Sequence, residues 1–322
     1  MAFAHEFSWS TSRAGTFAAC RRRYYHDYYS SWNGWSKEAA PERQQAYMLK
    51  KMTRMPQLAG TVLHEALAEY FDRHSEGQEM TADEVLELAC SALREGYRES
   101  RAGAWRQRPA KYCHLAEHHY EEVCIDESGS NAAEYGKLFI ERLRRSVDCF
   151  FSAPEMHAAR EATAAEMLSV EGRPPGDRAN RGFATIQMAE TKVFAIPDFA
   201  HRNSEQGQPQ HVIYDWKTGN PREQDEFQLG VYVFFAMEKW GAKPEDVLAV
   251  DAYLTRGEFK SLRFSSERMA GIRDRLEGSL AEMRSLHFDA DESMGDPEDF
   301  PLIADSGAAE CTGCNYRELC GR

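Results

Sequence analysis

The sequence contains no run of about 18 apolar residues, the length a helix needs to cross a bilayer, so a transmembrane helix is excluded and no membrane partner is expected. Its opening, MAFAHEFSWSTSR, lacks the basic-then-apolar layout of an export signal, and a cytoplasmic location is the expectation. Internal repeats and low-complexity segments are absent, leaving no repeat array to consider. No GxxxxGK[ST] phosphate loop occurs, so any unwinding of a duplex has to come from elsewhere. Positive charge is also short. Lys and Arg number 39 against 52 Asp and Glu, a net charge of −13, which excludes a uniformly basic nucleic-acid binder.

The charge is unevenly placed, however. Arg13, Arg21, Arg22 and Arg23 crowd the N-terminal region, and Arg94, Arg98, Arg101, Arg106, Arg108 and Lys111 form a second basic stretch. Acid concentrates late, in Asp289, Asp291, Glu292, Asp296, Glu298 and Asp299. A local basic groove on an acidic protein can track a phosphate backbone, although either stretch alone reads equally well as a solvated helix face. Hydrophobic residues make up 42% and charged residues 28% of the 322, the mix of a globular protein with one large domain or two modest ones. Eight cysteines without an export signal argue against a disulfide framework. Of these, Cys90, Cys113, Cys124 and Cys149 are scattered through helical sequence and read as core or surface thiols.

Residues 11–30 read as a helix rich in aromatics (Phe17, Tyr24, Tyr25, Tyr28, Tyr29), and 36–57 as a polar loop. Leu63, Leu67 and Phe71 mark a helix over 59–73, and 81–101 and 131–152 are also helical in pattern. Between 162 and 217 the pattern turns to strands: EMLSVEG, FATIQMAE, KVFAIPDFAHR and HVIYDWK, separated by the turn-rich GRPPGDRANRG and NSEQGQPQ. A helix at 223–240, strands at 247–254 and 258–264, and a helix over 265–286 follow. That last helix has Met269, Ile272, Leu276, Leu280, Met283 and Leu286 on one core stripe. The order predicts an α/β core with a helical subdomain.

Chemistry gathers in the strand region. Asp198 follows Pro197, and Asp215-Trp216-Lys217 closes the next strand. Residues two apart in a strand share a face, so Asp215 and Lys217 lie together with Trp216 opposite. Cleaving a phosphodiester requires a deprotonated water, charge offset on the phosphate and a stabilised leaving oxygen. Divalent metal on carboxylates can supply all three. Alone, D-x-K is most often a surface salt bridge. Here it closes an apolar strand at a turn, after Pro-Asp, in HVIYDWKTG.

IYDWKTG followed by QLGVYVFFA resembles the RecB-type branch of the PD-(D/E)XK nucleases. That branch includes the AddB-like nuclease domains of bacterial double-strand-break resection enzymes and the small CRISPR adaptation nucleases. Its motifs occur here in the family's order: Gly60 to His64 in GTVLHEAL, Glu166 in AEMLSV (with Glu171 nearby), Asp198, Asp215 with Lys217, and Gln228 with Tyr232. The resemblance covers about 8–30, 58–72, 160–264 and the C-terminal tail, but not the helical middle. It implies that His64, Asp198 and Asp215 ligate Mg2+ or Mn2+, that Lys217 is the catalytic lysine with Glu166 a further site acid, and that Gln228 and Tyr232 face the site. A lone histidine on an amphipathic helix would more often be a satisfied core residue.

Cys311, Cys314 and Cys320 form C-x2-C-x5-C in a turn-rich tail, and thiols so closely spaced usually mean metal. A fourth ligand is missing locally. The RecB-type nucleases include a branch with one cysteine before the core and three after it, holding a 4Fe–4S cluster, and Cys20, Cys311, Cys314 and Cys320 resemble that layout. A zinc knuckle, with His26 as a nitrogen ligand, is the alternative.

The resemblance thus implies a restriction-endonuclease-like mixed α/β sheet flanked by helices. Residues 1–73 would be the N-terminal helical part of the nuclease domain, 74–160 a helical insertion, 161–288 the nuclease core and 289–322 an iron–sulfur segment. The expected function is a metal-dependent DNA nuclease, an exonuclease on single-stranded DNA ends in DNA repair, phage or CRISPR-type DNA processing, with a helicase or integrase as partner. The alternative is a non-catalytic DNA-binding iron–sulfur module within a larger helicase or integrase complex.

Overall fold

The computed structural model describes residues 4–121, 130–179, 184–203 and 210–322. The turn-rich pieces at 172–182 and 203–210 fall partly outside these residues, and Cys124 wholly so. The strands are β1 (Ser8–Trp9), β2 (Met167–Val170), β3 (Thr185–Met188), β4 (Thr191–Phe194), β5 (Phe199–Asn203), β6 (Gln210–Lys217), β7 (Val247–Tyr253) and β8 (Glu258–Arg263). The main helices are α1 (Thr11–Ala19), α2 (Arg21–Tyr25), α3 (Pro41–Lys50), α4 (Met55–Ser75), α5 (Ala82–Ala102) and α6 (Ala116–His119). They continue with α7 (Ser130–Ser152), α8 (His157–Arg160), α9 (Glu223–Trp240), α10 (Ser266–Ser285) and α11 (Ala309–Thr312). Among the described residues no helix is long and apolar enough to cross a membrane.

The chain divides into two units. One comprises Leu58–Leu93 with Glu134–Glu277, the other Met1–Gln57 with Arg94–Ala133 and Gly278–Arg322. The first holds a five-stranded mixed sheet in the order β2-β5-β6-β7-β8. Neighbours are antiparallel except β6 and β7, which run parallel with α9 as the crossover between them. That central pair is buried on both faces, which is why VIYDW and VLAVDAY read as nearly continuous apolar runs. On the Trp216 face, the Phe71 ring of α4 stacks on Phe199 at 3.7 Å between centroids. Phe150 of α7 meets Phe71 and Trp216 edge-on at 5.7 and 5.8 Å.

Three expectations change. KVFAIPDFAHR is two strands, β4 and β5, because Pro197 has no N–H to give a ladder. Its carbonyl and that of Asp198 accept instead from Gly172 and Glu171 at 3.1 and 2.8 Å. The helix over 11–30 breaks at Cys20, whose extended backbone (φ −160°, ψ 110°) ends α1 and caps α2. The polar stretch 36–57 contains α3, which opens on Pro41 at its first position, where a missing N–H costs nothing, and buries Ala46, Tyr47 and Leu49.

In the second unit the N- and C-terminal segments share one aromatic core. Tyr29 stacks on Phe288 at 4.4 Å, and Tyr25 lies 5.3 Å from Phe300. The N-terminal arginines serve this packing: Arg22, nearly buried, donates to the Phe300 carbonyl at 2.7 Å, and Arg21 pairs with Glu282. Tyr316 donates to Asp27 at 2.5 Å and stacks on His26. In the second basic stretch, Arg106 lies over the Trp105 ring and Lys111 over Tyr112.

In the sheet unit, α4 is fastened to the turn after β2 by a buried fork. Asp72, 1% exposed, accepts from both terminal nitrogens of Arg173 (2.9 and 2.6 Å) and from the Gly176 amide (2.9 Å). Removing one partner of a buried pair strands the other, so Asp72→Ala is expected to cost about 3–5 kcal/mol. Glu69→Ala, which breaks only the outer contacts to Arg73 and Arg178, should cost less than about 1 kcal/mol. Urea unfolding of both variants measures the contrast, and equal losses would show that Asp72 is not the fastening.

Candidate active site and cysteine centre

The site is assembled on the sheet from four pieces of the first unit. His64 stands on α4, where Gly60 permits the helix to approach Thr218: a Cβ at Gly60 would lie 3.2 Å from the threonine hydroxyl oxygen. The imidazole meets the Trp216 carbonyl through Nε2 (3.1 Å) and Asp198 through Nδ1 (3.2 Å). Asp198, 6% exposed, uses its other oxygen to accept the Trp216 amide at 2.5 Å. That bond places the Asp198 carboxylate beside the segment Asp215–Lys217.

Glu171 is the third member. It sits at φ 48° in a turn with Gly172 at φ 73°, a conformation costly for glutamate and held by the two amide bonds to the Pro197–Asp198 carbonyls. Its Oε1 lies 3.6 Å from His64 Nδ1, buried and without a hydrogen-bond partner. One ligand atom each from His64, Glu171 and Asp198 falls within a span of 4.8 Å. A hard or borderline divalent cation takes such a set of two carboxylates and an imidazole. The partnerless carboxylate oxygen is what a bound cation would satisfy.

Glu166 lies elsewhere. Its carboxylate accepts from the Thr163 amide and hydroxyl at 3.0 and 2.8 Å in the turn ahead of β2, while its carbonyl accepts from the Arg202 amide. Glu171, five residues on, is the acid that stands beside His64.

On the α9 face, Lys217 pairs with Asp215 and donates to Gln228 Oε1 at 2.9 Å. Gln228 Nε2 donates to the Tyr232 hydroxyl (2.7 Å), which in turn donates to Asp215 Oδ1 (3.1 Å). Four-residue spacing on α9 thus puts an amide and a phenol on one carboxylate. Asp225, in the first turn of α9, accepts from the Arg222 amide and the Tyr253 hydroxyl, each at 2.8 Å, and lies 4.0 Å from the Lys217 ammonium. Asp251 pairs in register with Asp215 on the adjacent strand. Glu171, Asp225 and Asp251 had no motif to announce them; for Asp251 the available signal was an acid within the apolar run VLAVDAYL.

Electrostatically these groups contend. Burial, then the Asp215 charge, push Asp198 up to about 7 against the pull of His64. Burial lowers the His64 pKa, but the charge and hydrogen bond of Asp198, backed by Glu171, outweigh it and hold the imidazole well above its ordinary value. Burial also lowers Lys217, and Asp215 more than restores it. Burial and Asp215 together push Asp251 up to about 7.

The family model of the PD-(D/E)XK nuclease superfamily matches residues 8–321. The chain belongs to this superfamily. Among curated proteins no relative matches it. PD-(D/E)XK nucleases work with divalent metal ions, and the His64–Glu171–Asp198 group is the candidate place for one in this nuclease.

The second centre lies in the other unit. Cys20, Cys311, Cys314 and Cys320 line one partly open cavity together with Arg23, Arg317 and Arg322. Cys20 and Cys314 Sγ each accept a backbone N–H, from Arg23 and Tyr316, at 3.4 Å, and Arg322 donates to Cys311 Sγ at 3.0 Å. Burial pushes the Cys320 thiol up to about 11 and raises that of Cys314. His26 does not line the cavity; it bonds Ser30 and stacks on Tyr316, and burial lowers it to about 4. Cys90, Cys113 and Cys149 are not among the lining residues either.

A cation at His64 and Asp198 requires the neutral imidazole and the ionised carboxylate. Both groups hold their proton to higher pH than usual, so protons compete with metal below neutrality. Mn2+ affinity should therefore climb between pH 6 and 8, with proton release on binding. Isothermal titration in buffers of different ionisation enthalpy checks this. Affinity that is flat over that range would remove the pair from the metal site.

Proposed function

We propose that this superfamily member is a DNA nuclease dependent on Mg2+ or Mn2+, acting as an exonuclease on single-stranded ends. The observation that carries the reading is the convergence of the His64–Glu171–Asp198 group with Asp215 and Lys217 on one sheet, joined through the Trp216 amide. A divalent cation held by this set would supply acidity to an attacking water and positive charge against the phosphate. The chain's own groups do the rest. Lys217, braced by Gln228, presents an ammonium to the reacting phosphate, and Tyr232 and Gln228 fix the Asp215 carboxylate. A DNA-binding protein that had given up cleavage would have no need to keep the lysine and every acid, which favours the enzyme over the binding module.

We extend the reading to a 4Fe–4S cluster on Cys20, Cys311, Cys314 and Cys320. Four sulfurs around one cavity fit it, as do two amide-to-sulfur bonds and the presence of three arginines in the lining, which suits the net negative charge of a thiolate-ligated cluster. The zinc alternative loses its nitrogen ligand with His26 turned to Ser30. A helicase or integrase is the partner class we favour, since the chain carries no phosphate loop of its own.

The test of the activity is incubation of end-labelled single- and double-stranded DNA with the protein and Mg2+ or Mn2+. Cleavage from single-stranded ends is expected. Lys217→Ala should cut the rate at least ~100-fold, the usual scale for one positioned catalytic group, while Mn2+ and DNA binding persist. Wild-type turnover in that variant would remove Lys217 from the mechanism.

Protein purified without oxygen should be brown and carry four irons per chain if the cluster is of the cubane type. Cys20→Ala should bleach it as fully as Cys311→Ala, Cys314→Ala or Cys320→Ala, whereas replacing Cys90, Cys113, Cys124 or Cys149 should leave the colour. A colourless protein with one zinc, insensitive to Cys20, would overturn the cluster and leave the nuclease site standing.

A further inference from the structure

Asp251 is 0% exposed, and neither of its carboxylate oxygens has a hydrogen-bond partner. Leaving a carboxylate in that condition is costly, and a fold keeps one only where something else repays it. The residue lies on β7 in parallel register with Asp215, two residues before Tyr253, which is in register with Lys217. All four side chains therefore rise on the α9 face of the sheet. From β8, Lys260 stands in register with Asp251, but its ammonium goes to Glu226 at 3.7 Å. Asp225, the remaining acid beside the lysine, spends Oδ2 on Arg222 and Tyr253 and offers only Oδ1, 4.0 Å from the ammonium.

The difficulty this resolves lies in Asp215. One of its oxygens is held by Tyr232 and Gln228, and the other pairs with Lys217. If Asp215 serves a cation, the oxygen now on Lys217 is the one released, and the ammonium needs another anion close by. Asp251 is the neighbouring carboxylate with both oxygens unspent. We propose that Asp251 is a positioning residue for Lys217: it receives the ammonium when Asp215 turns to a divalent cation, keeping the lysine in the site instead of in competition with the metal. This rests on the nuclease reading above for the roles of Asp215 and Lys217, and it adds a residue outside that motif set.

The measurement is Mn2+ binding by electron paramagnetic resonance, without DNA, on wild type, Asp251→Asn, Lys217→Met and the double variant. The amide is isosteric, and thermal unfolding confirms that the variant folds; Asp251→Ala serves the same comparison. In the presence of Lys217, Asp251→Asn should weaken Mn2+ about 10-fold, the scale of losing a group that supports a metal ligand. In the Lys217→Met background it should change nothing, because no ammonium remains to compete. In cleavage assays Asp251→Asn should lower kcat and leave KM for DNA in place, since the residue touches no substrate. Equal weakening in both backgrounds would make Asp251 itself a ligand and overturn the proposal, as would unchanged Mn2+ affinity in both. A wild type that binds and cleaves beside an indistinguishable Asp251→Asn sinks this inference alone. A wild type that takes up no Mn2+ overturns it together with the nuclease reading.

Discussion

The Asp198 carboxylate, buried against the Trp216 amide, is the contact on which the site depends. Through one oxygen it sets the end of β6, so that Asp215 and Lys217 flank the amide it holds. Through the other it meets His64, and α4 is thereby keyed to the same strand. Its own carbonyl receives the Glu171 amide, which brings the third candidate ligand into place despite a left-handed backbone. Three segments distant in sequence thus converge on a single aspartate.

Such an arrangement is electrostatically uncomfortable. Asp198, Asp215, Asp225 and Asp251 are all largely buried, and Lys217 is the cation set among the last three. Burial first, and then the neighbouring Asp215 charge, displace Asp198 and Asp251 upward. Excess negative charge of this kind would favour a divalent cation, which no net-charge figure conveys. A cation held there, and not the surface, would answer a phosphate, so an acidic net charge is compatible with membership of a nuclease superfamily.

The cysteine centre is held differently. Its four sulfurs come from both ends of the chain, and the same ends are joined by ordinary packing: Tyr29 on Phe288, Arg22 on the Phe300 carbonyl, Tyr316 on Asp27. The cavity itself is lined by Leu302, Ile303 and three arginines beside the cysteines. A cluster bound there would add closure of a very long loop.

The sequence by itself determined the mixed α/β order, the strand carrying Asp215 and Lys217, the helix carrying Gln228 and Tyr232, and the grouping of three cysteines in the tail. Each of these follows from a period of two, a period of about four, or a short spacing, and local chemistry is visible to a reader of the chain. It was misleading where a breaker has a local use: Pro41 begins a helix, Pro197 divides a strand, and Cys20 divides a helix. Only the tertiary structure decided that Glu171 and not Glu166 stands beside His64, because both acids flank the same strand and a turn at positive φ selects one of them. It alone placed Asp251 against Asp215, since register between β6 and β7 is set by pairing across an intervening helix. Cys20 was grouped with the other three cysteines only through the family resemblance, and the shared cavity they line is a matter of core packing, which leaves no period in the sequence.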